Sequence, residues 1–163
     1  MKKIFLLILF IFILTIHTQV KGETLQASIS ADYVPKELFG NWRVEAKLEN
    51  TNSLSRFKPQ SIDTWYLSRN NDLITLHNPY SKINATISVK TVENNLIVFS
   101  KKSSYDDNKL LTDIVTIRIE GNKFSGINEV KLETFSFVDN HLMKTENALY
   151  RIKGEKISGD NIF

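Results

Sequence analysis

From Leu38 to Glu49 the chain reads Leu-Phe-Gly-Asn-Trp-Arg-Val-Glu-Ala-Lys-Leu-Glu, and from Trp42 onward every second residue is apolar. Trp42, Val44, Ala46 and Leu48 share one parity, and Arg43, Glu45, Lys47 and Glu49 share the other. Successive side chains of an extended backbone point to opposite faces, so this pattern specifies a strand with one dry and one wet face. A strand of that kind has to be folded into a sheet that buries its dry side.

The rest of the chain repeats the signal. Ile62–Ser68 and Leu73–His77 flank the turn residues Arg69-Asn70-Asn71-Asp72. Ile83, Ala85, Ile87 and Val89 alternate with Asn84, Thr86, Ser88 and Lys90, giving a second strand with one dry face. Leu96–Ser100, Asp113–Ile119, a strand opening at Phe124, Lys131–Phe137 and Asn147–Ile157 follow, with Glu120-Gly121-Asn122-Lys123 as a tight hairpin. Asn50–Gln60 and Ser103–Lys109 read as polar loops, and Pro35–Phe39 as a short helical turn opened by proline. The expected fold is all-β: about eight short antiparallel strands in one domain over 35–163, meandering into a barrel or sandwich.

The N-terminus belongs to a different category. Lys2 and Lys3 precede Ile4–Ile16, in which only Thr15 is polar. That run is shorter than the ~20 residues of a membrane span and within the ~7–15 of a secretory signal, so residues 1–22 read as a cleaved signal peptide and 23–34 as a flexible lead-in. Three of the 21 basic residues, Lys2, Lys3 and Lys21, lie in that leader, which leaves 18 against 18 acidic ones. The sequence pI near 9.0 is therefore largely a property of the leader. It lends no support to nucleic-acid binding, and the remaining basic pair Lys101-Lys102 reads as a solvated strand face. The expected location is secreted or periplasmic, with contact to the membrane only through the export signal.

Cysteine is absent, which excludes thiol catalysis, cysteine-based zinc sites and disulfide staples. Outside the leader only His77 and His141 remain, both near turns. No nucleophile elbow, phosphate-cradling glycine loop or His-Glu-x-x-His is present. Asp106-Asp107-Asn108 lacks the glycine and distal glutamate of a calcium loop and reads as surface. The expectation is a protein that is not an enzyme and carries no metal or cofactor.

Gly40-x-Trp42 after a short turn, together with Arg151 on the final strand, resembles the lipocalin-like (calycin) β-barrels. Thr112-Asp113 echoes the middle motif of that family, with Ile114 where a tyrosine is expected. The resemblance implies an up-and-down barrel in which Gly40, Trp42 and Arg151 close one end, the guanidinium capping the indole by a cation-π contact. It also implies a monomer with a small apolar or amphipathic ligand, such as a lipid, inside.

Val44, Ala46, Ala85, Ile87 and Tyr150 are the candidate ligand contacts, while Trp65, Phe99, Phe124 and Phe135, with Tyr150, are bulky enough to fill the interior instead. Asp63 is a carboxylate that could face a cavity, whereas Glu45 lies on the wet parity. The alternative is a filled barrel that acts as a protein-interaction or inhibitor module of the cell envelope, contacting its partner through Asn50–Gln60 and Ser103–Lys109.

Overall fold

The computed structural model describes residues 29–80 and 83–159. The predicted leader, the first part of the lead-in and the last four residues lie outside them. Eight strands follow in order: β1 (Gly40–Thr51), β2 (Gln60–Asn70), β3 (Leu73–Asn78), β4 (Ile83–Glu93), β5 (Leu96–Asp106), β6 (Lys109–Glu120), β7 (Lys123–Phe135) and β8 (Leu142–Ser158). Each pairs antiparallel with its sequence neighbour, and β1 pairs with β8, so the sheet closes into an up-and-down barrel with no free edge. No helix among the described residues is long and apolar enough to cross a membrane.

Tight turns set the register. Asn71-Asp72, Asn94-Asn95 and Gly121-Asn122 each join two strands, and Asn71, Asn94 and Gly121 take the positive φ that such hairpins need and that Asn and Gly tolerate. Two sequence expectations change here. Ser103–Lys109 is not a loop, because β5 runs to Asp106 and only Asp107-Asn108 turns into β6. The expected strands at Phe124 and Lys131–Phe137 are one continuous strand, β7, paired with β6 and β8 along its length. Gly126 keeps that strand unbroken: a Cβ there would meet Thr116 O at 1.9 Å, so the two backbones approach where only glycine fits.

A β-bulge between Val89 and Thr91 shifts the parity of β4. Ile87 and Val89 face the core before it, and Val92 does so after it.

One end is plugged. Leu38, Phe39 and Trp42 are fully buried there with Leu67, Ile97 and Phe124. Two 3-10 turns, Ala31–Tyr33 and Lys36–Leu38, run across the opening, and Ala31 and Val34 are buried beneath them. The described part of the expected lead-in is thus docked rather than flexible. Arg69 reaches up from β2 to hold it, donating through Nη1 to Ala31 O at 3.2 Å and pairing with Asp32. Gly154 on β8 makes room for the plug, since a Cβ there would sit 2.2 Å from the Phe124 ring.

Candidate functional site

The inward faces of the eight strands form two apolar clusters. The larger is the plug and lower barrel; the smaller, Phe57, Leu132 and Ala148 with Leu48, Leu111, Val130 and Tyr150 against them, lies toward the opposite end. A cavity of about 280 Å³ lies between. Its floor is the end of an aromatic stack: Trp42 packs on Phe124 at 5.0 Å, Phe124 stacks on Trp65 at 5.9 Å, and Trp65 meets Phe99 edge-on at 6.4 Å. Its roof is Phe57, carried by the β1–β2 loop.

Between floor and roof runs a polar belt. Asp63 accepts from Ser61 Oγ at 3.3 Å and from Asn78 Nδ2 at 3.2 Å. Asn78 is itself oriented by donation from Tyr80 N to its Oδ1 at 3.0 Å. On β5, β6 and β7, Lys101 Nζ lies 2.6 Å from Asp113 Oδ2, and Asn128 Nδ2 donates to Asp113 Oδ1 at 3.3 Å. The Lys101 and Asp113 side chains keep only 12% and 8% of their exposure, so this is a buried ion pair. The ammonium approaches Asp113 Oδ2 off the hydrogen-bond direction, and Asn128 Oδ1 is buried without a hydrogen-bond partner. Buried charges and orphaned acceptors are costly in a structural core, and here they cluster on a cavity wall.

The roof is tethered rather than merely packed. Ser53 Oγ donates to Glu146 Oε1 at 2.5 Å, Asn52 Oδ1 accepts from Asn147 N at 2.7 Å, and Tyr150 Oη donates to Lys58 O at 3.1 Å. Arg56 stands 4.0 Å from Glu146, and Lys144 2.9 Å. The Ser53 hydroxyl, then the Lys144 ammonium, hold the Glu146 carboxyl below its ordinary value, while burial pushes the Tyr150 phenol up.

The expected site residues separate. Val44, Ala46 and Tyr150 line the cavity. Ile87 lies instead in the lower core, and Ala85, half-buried opposite Leu76, does not reach the cavity. Gly40, with φ +129° and the carbonyls of Ser158 and Gly159 where a Cβ would project, occupies the closed end with Trp42. Trp42 Nε1 donates to Leu38 O at 2.8 Å, tying the plug to the strand.

Arg151 does not cap Trp42. It is exposed on the outer face of β8 and pairs with Glu49 at 2.6 Å. The register explains why: Trp42 pairs with Lys156, five residues beyond Arg151 and on the opposite parity, a separation of roughly 16 Å along a strand. The cation over the indole is Lys156, 5.4 Å from the ring centroid.

From the sequence Lys101 reads as a solvated residue, Asp113 carries only an echo of a family motif, and Asn128 has no assigned role. The signal was present in the alternation, because Lys101 shares the parity of Ile97 and Phe99, and Asp113 that of Val115, Ile117 and Ile119. A polar residue on a dry parity marks an interior polar site. Phe57, within an irregular loop, carries no such signal.

The outer end of the barrel is apolar as well. The loops and turns leaving β1, β3, β5 and β7 all lie at the roof end, and there Leu54, Tyr80, Tyr105, Phe137, Val138, Leu142 and Met143 are exposed. His141, also exposed, pairs with Asp139 at 2.6 Å, and His77 stands on β3. No group of three His, Cys, Asp or Glu side chains suited to a metal ion forms among the described residues.

No protein-family model, characterised protein or solved structure matches this chain.

Proposed function

We infer that the protein is an exported, lipocalin-like binding protein that holds one small amphipathic molecule inside its barrel. The observation that carries this reading is the interior cavity of about 280 Å³, roofed by Phe57 and floored by Trp65 and Phe99, with a charged belt between. Small-molecule sites are mostly apolar clefts with a few placed polar groups, of ~300–1,000 Å³ for drug-sized ligands. A cavity just under that range suits a compact molecule rather than a long-chain lipid. In this reading Trp42 and the plug are structural, and the chain acts by sequestering or carrying its ligand without chemical change. Export rests on the apolar run Ile4–Ile16.

The test is to denature the purified protein, extract it with organic solvent and identify what is released by mass spectrometry. The reading expects a stoichiometric small molecule, or a thermal shift against a panel of compact amphiphiles. A clean extract with no shift across the panel would contradict it.

A second reading is carried by the exposed ring at the roof end, where Val138 keeps 95% of its exposure and Phe137 79%. Exposed apolar side chains gathered at one end of a barrel favour a protein-interaction site. On this reading replacement of the Asn50–Gln60 loop abolishes recovery of a partner by pull-down.

A further inference from the structure

The charges within the cavity are not equivalent. Lys101 is committed to Asp113 at 2.6 Å, and Arg56, half-exposed at the roof, faces Glu146. Among the described residues, the hydrogen-bond partners of Asp63 are both neutral, the Ser61 hydroxyl and the Asn78 amide. Asn128 Oδ1, which lines the same cavity from β7, is a second acceptor without a donor among the described residues, its orientation fixed because Nδ2 must face the Asp113 carboxylate. The side of the belt left to be satisfied is therefore anionic and accepting.

We propose that the occupant is a compact primary or secondary amine with an apolar tail, its ammonium held by Asp63 and its tail against Trp65 and Phe99. The proposal rests on the reading of the barrel as a binding site and specifies its ligand class. An ammonium supplies both a positive charge for Asp63 and N–H donors for the belt, and charge-assisted bonds of this kind are the strong ones. The aromatic floor suits the tail, which it takes out of water. A carboxylate-headed ligand fits worse. It would have to draw Lys101 away from Asp113, leaving that carboxylate buried and unpaired, or turn to Arg56 at the half-exposed roof, where solvent weakens the pair.

The test is calorimetric titration of the purified protein at pH 7 with octylamine, 1-octanol and octanoate, which share a chain length and differ in head group. Octylamine should bind at least tenfold more tightly than 1-octanol, and octanoate most weakly. In Asp63→Asn the preference for octylamine over 1-octanol should vanish while the affinity for 1-octanol is unchanged. The ranking on the native chain decides by itself, so a poorly folding variant leaves the test intact. Equal binding of octylamine and 1-octanol overturns the amine assignment and leaves the binding reading standing. Tightest binding of octanoate overturns it in favour of Lys101 as the anchor. Absence of binding by all three overturns the assignment together with the reading beneath it.

Discussion

Replacing Trp42 with alanine removes the side chain on which the closed end is built. The indole is fully buried, packs on Phe124 at 5.0 Å and donates to Leu38 O at 2.8 Å. Truncation of a buried aromatic costs about 3–5 kcal/mol, from lost transfer energy and the cavity left behind. Trp42→Phe keeps most of the bulk and loses the N–H, leaving Leu38 O unpaired in the core, a loss of about 1–3 kcal/mol. Lys156→Met removes the cation 5.4 Å from the indole centroid, a contact worth about 0.5–1 kcal/mol at a partly exposed site. Arg151→Ala should be near neutral, since the exposed pair with Glu49 contributes about 0–1 kcal/mol.

The assay is equilibrium urea unfolding. With a slope of ~1–3 kcal/mol per molar urea, Trp42→Ala should lower the midpoint by roughly 2 M. The order Trp42→Ala, Trp42→Phe, Lys156→Met, Arg151→Ala is the content of the prediction. A loss below about 1 kcal/mol for Trp42→Ala, or a larger loss at Arg151 than at Lys156, would refute the plug as described.

Phe57→Ala should destabilise the barrel by about 1.5–3 kcal/mol, less than a plug truncation because solvent can take the space at the roof; it should also speed ligand exchange in stopped-flow measurements. Lys101→Met leaves Asp113 charged and unpaired and should cost about 3–5 kcal/mol in urea midpoints. Adding Asp113→Asn, which keeps an acceptor for Asn128, should recover most of that loss, and failure to recover would place the cost elsewhere. Glu146 has a lowered carboxyl in the fold, so its contribution is present above its ordinary 4.5 and is lost as pH falls through the folded value. Calorimetry should show a melting temperature that drops below that pH, and a flatter acid limb in Glu146→Gln; identical acid limbs would remove Glu146 from the account.

The alternation from Trp42 to Leu48 made the first strand legible, and the turn residues Asn71 and Gly121 marked hairpins that the structure contains. Strand alternation is a local property, so it survives reading without a structure. What stayed hidden depends on register. The resemblance to lipocalin-like barrels made Arg151 the expected partner of Trp42, yet the β1–β8 ladder places Lys156 opposite the indole. The extent of β7 was missed because Gly126 and the polar Asn128 and Glu129 interrupt its apolar pattern. The Lys101–Asp113 pair was missed for a related reason: two opposite charges twelve residues apart read as solvated until the β5–β6 pairing puts them face to face inside the barrel. Ala85 and Ile87 have the parity of cavity residues but lie on a strand whose inward face belongs to the lower core. Parity assigns a side chain to the interior, and only register assigns it a height there.

On the proposed function, a small amphipathic molecule seats inside the barrel beneath Phe57. Titration of the isotope-labelled protein with octylamine, followed by amide shifts and ligand-to-protein contacts in nuclear magnetic resonance, reads that location residue by residue. Saturable changes are expected at Val44, Asp63, Lys101, Asn128 and Tyr150, with ligand contacts to the Trp65 and Phe99 rings. Changes confined to Phe137, Val138, Leu142 and Met143 on the outer rim, with the interior unmoved, would contradict it.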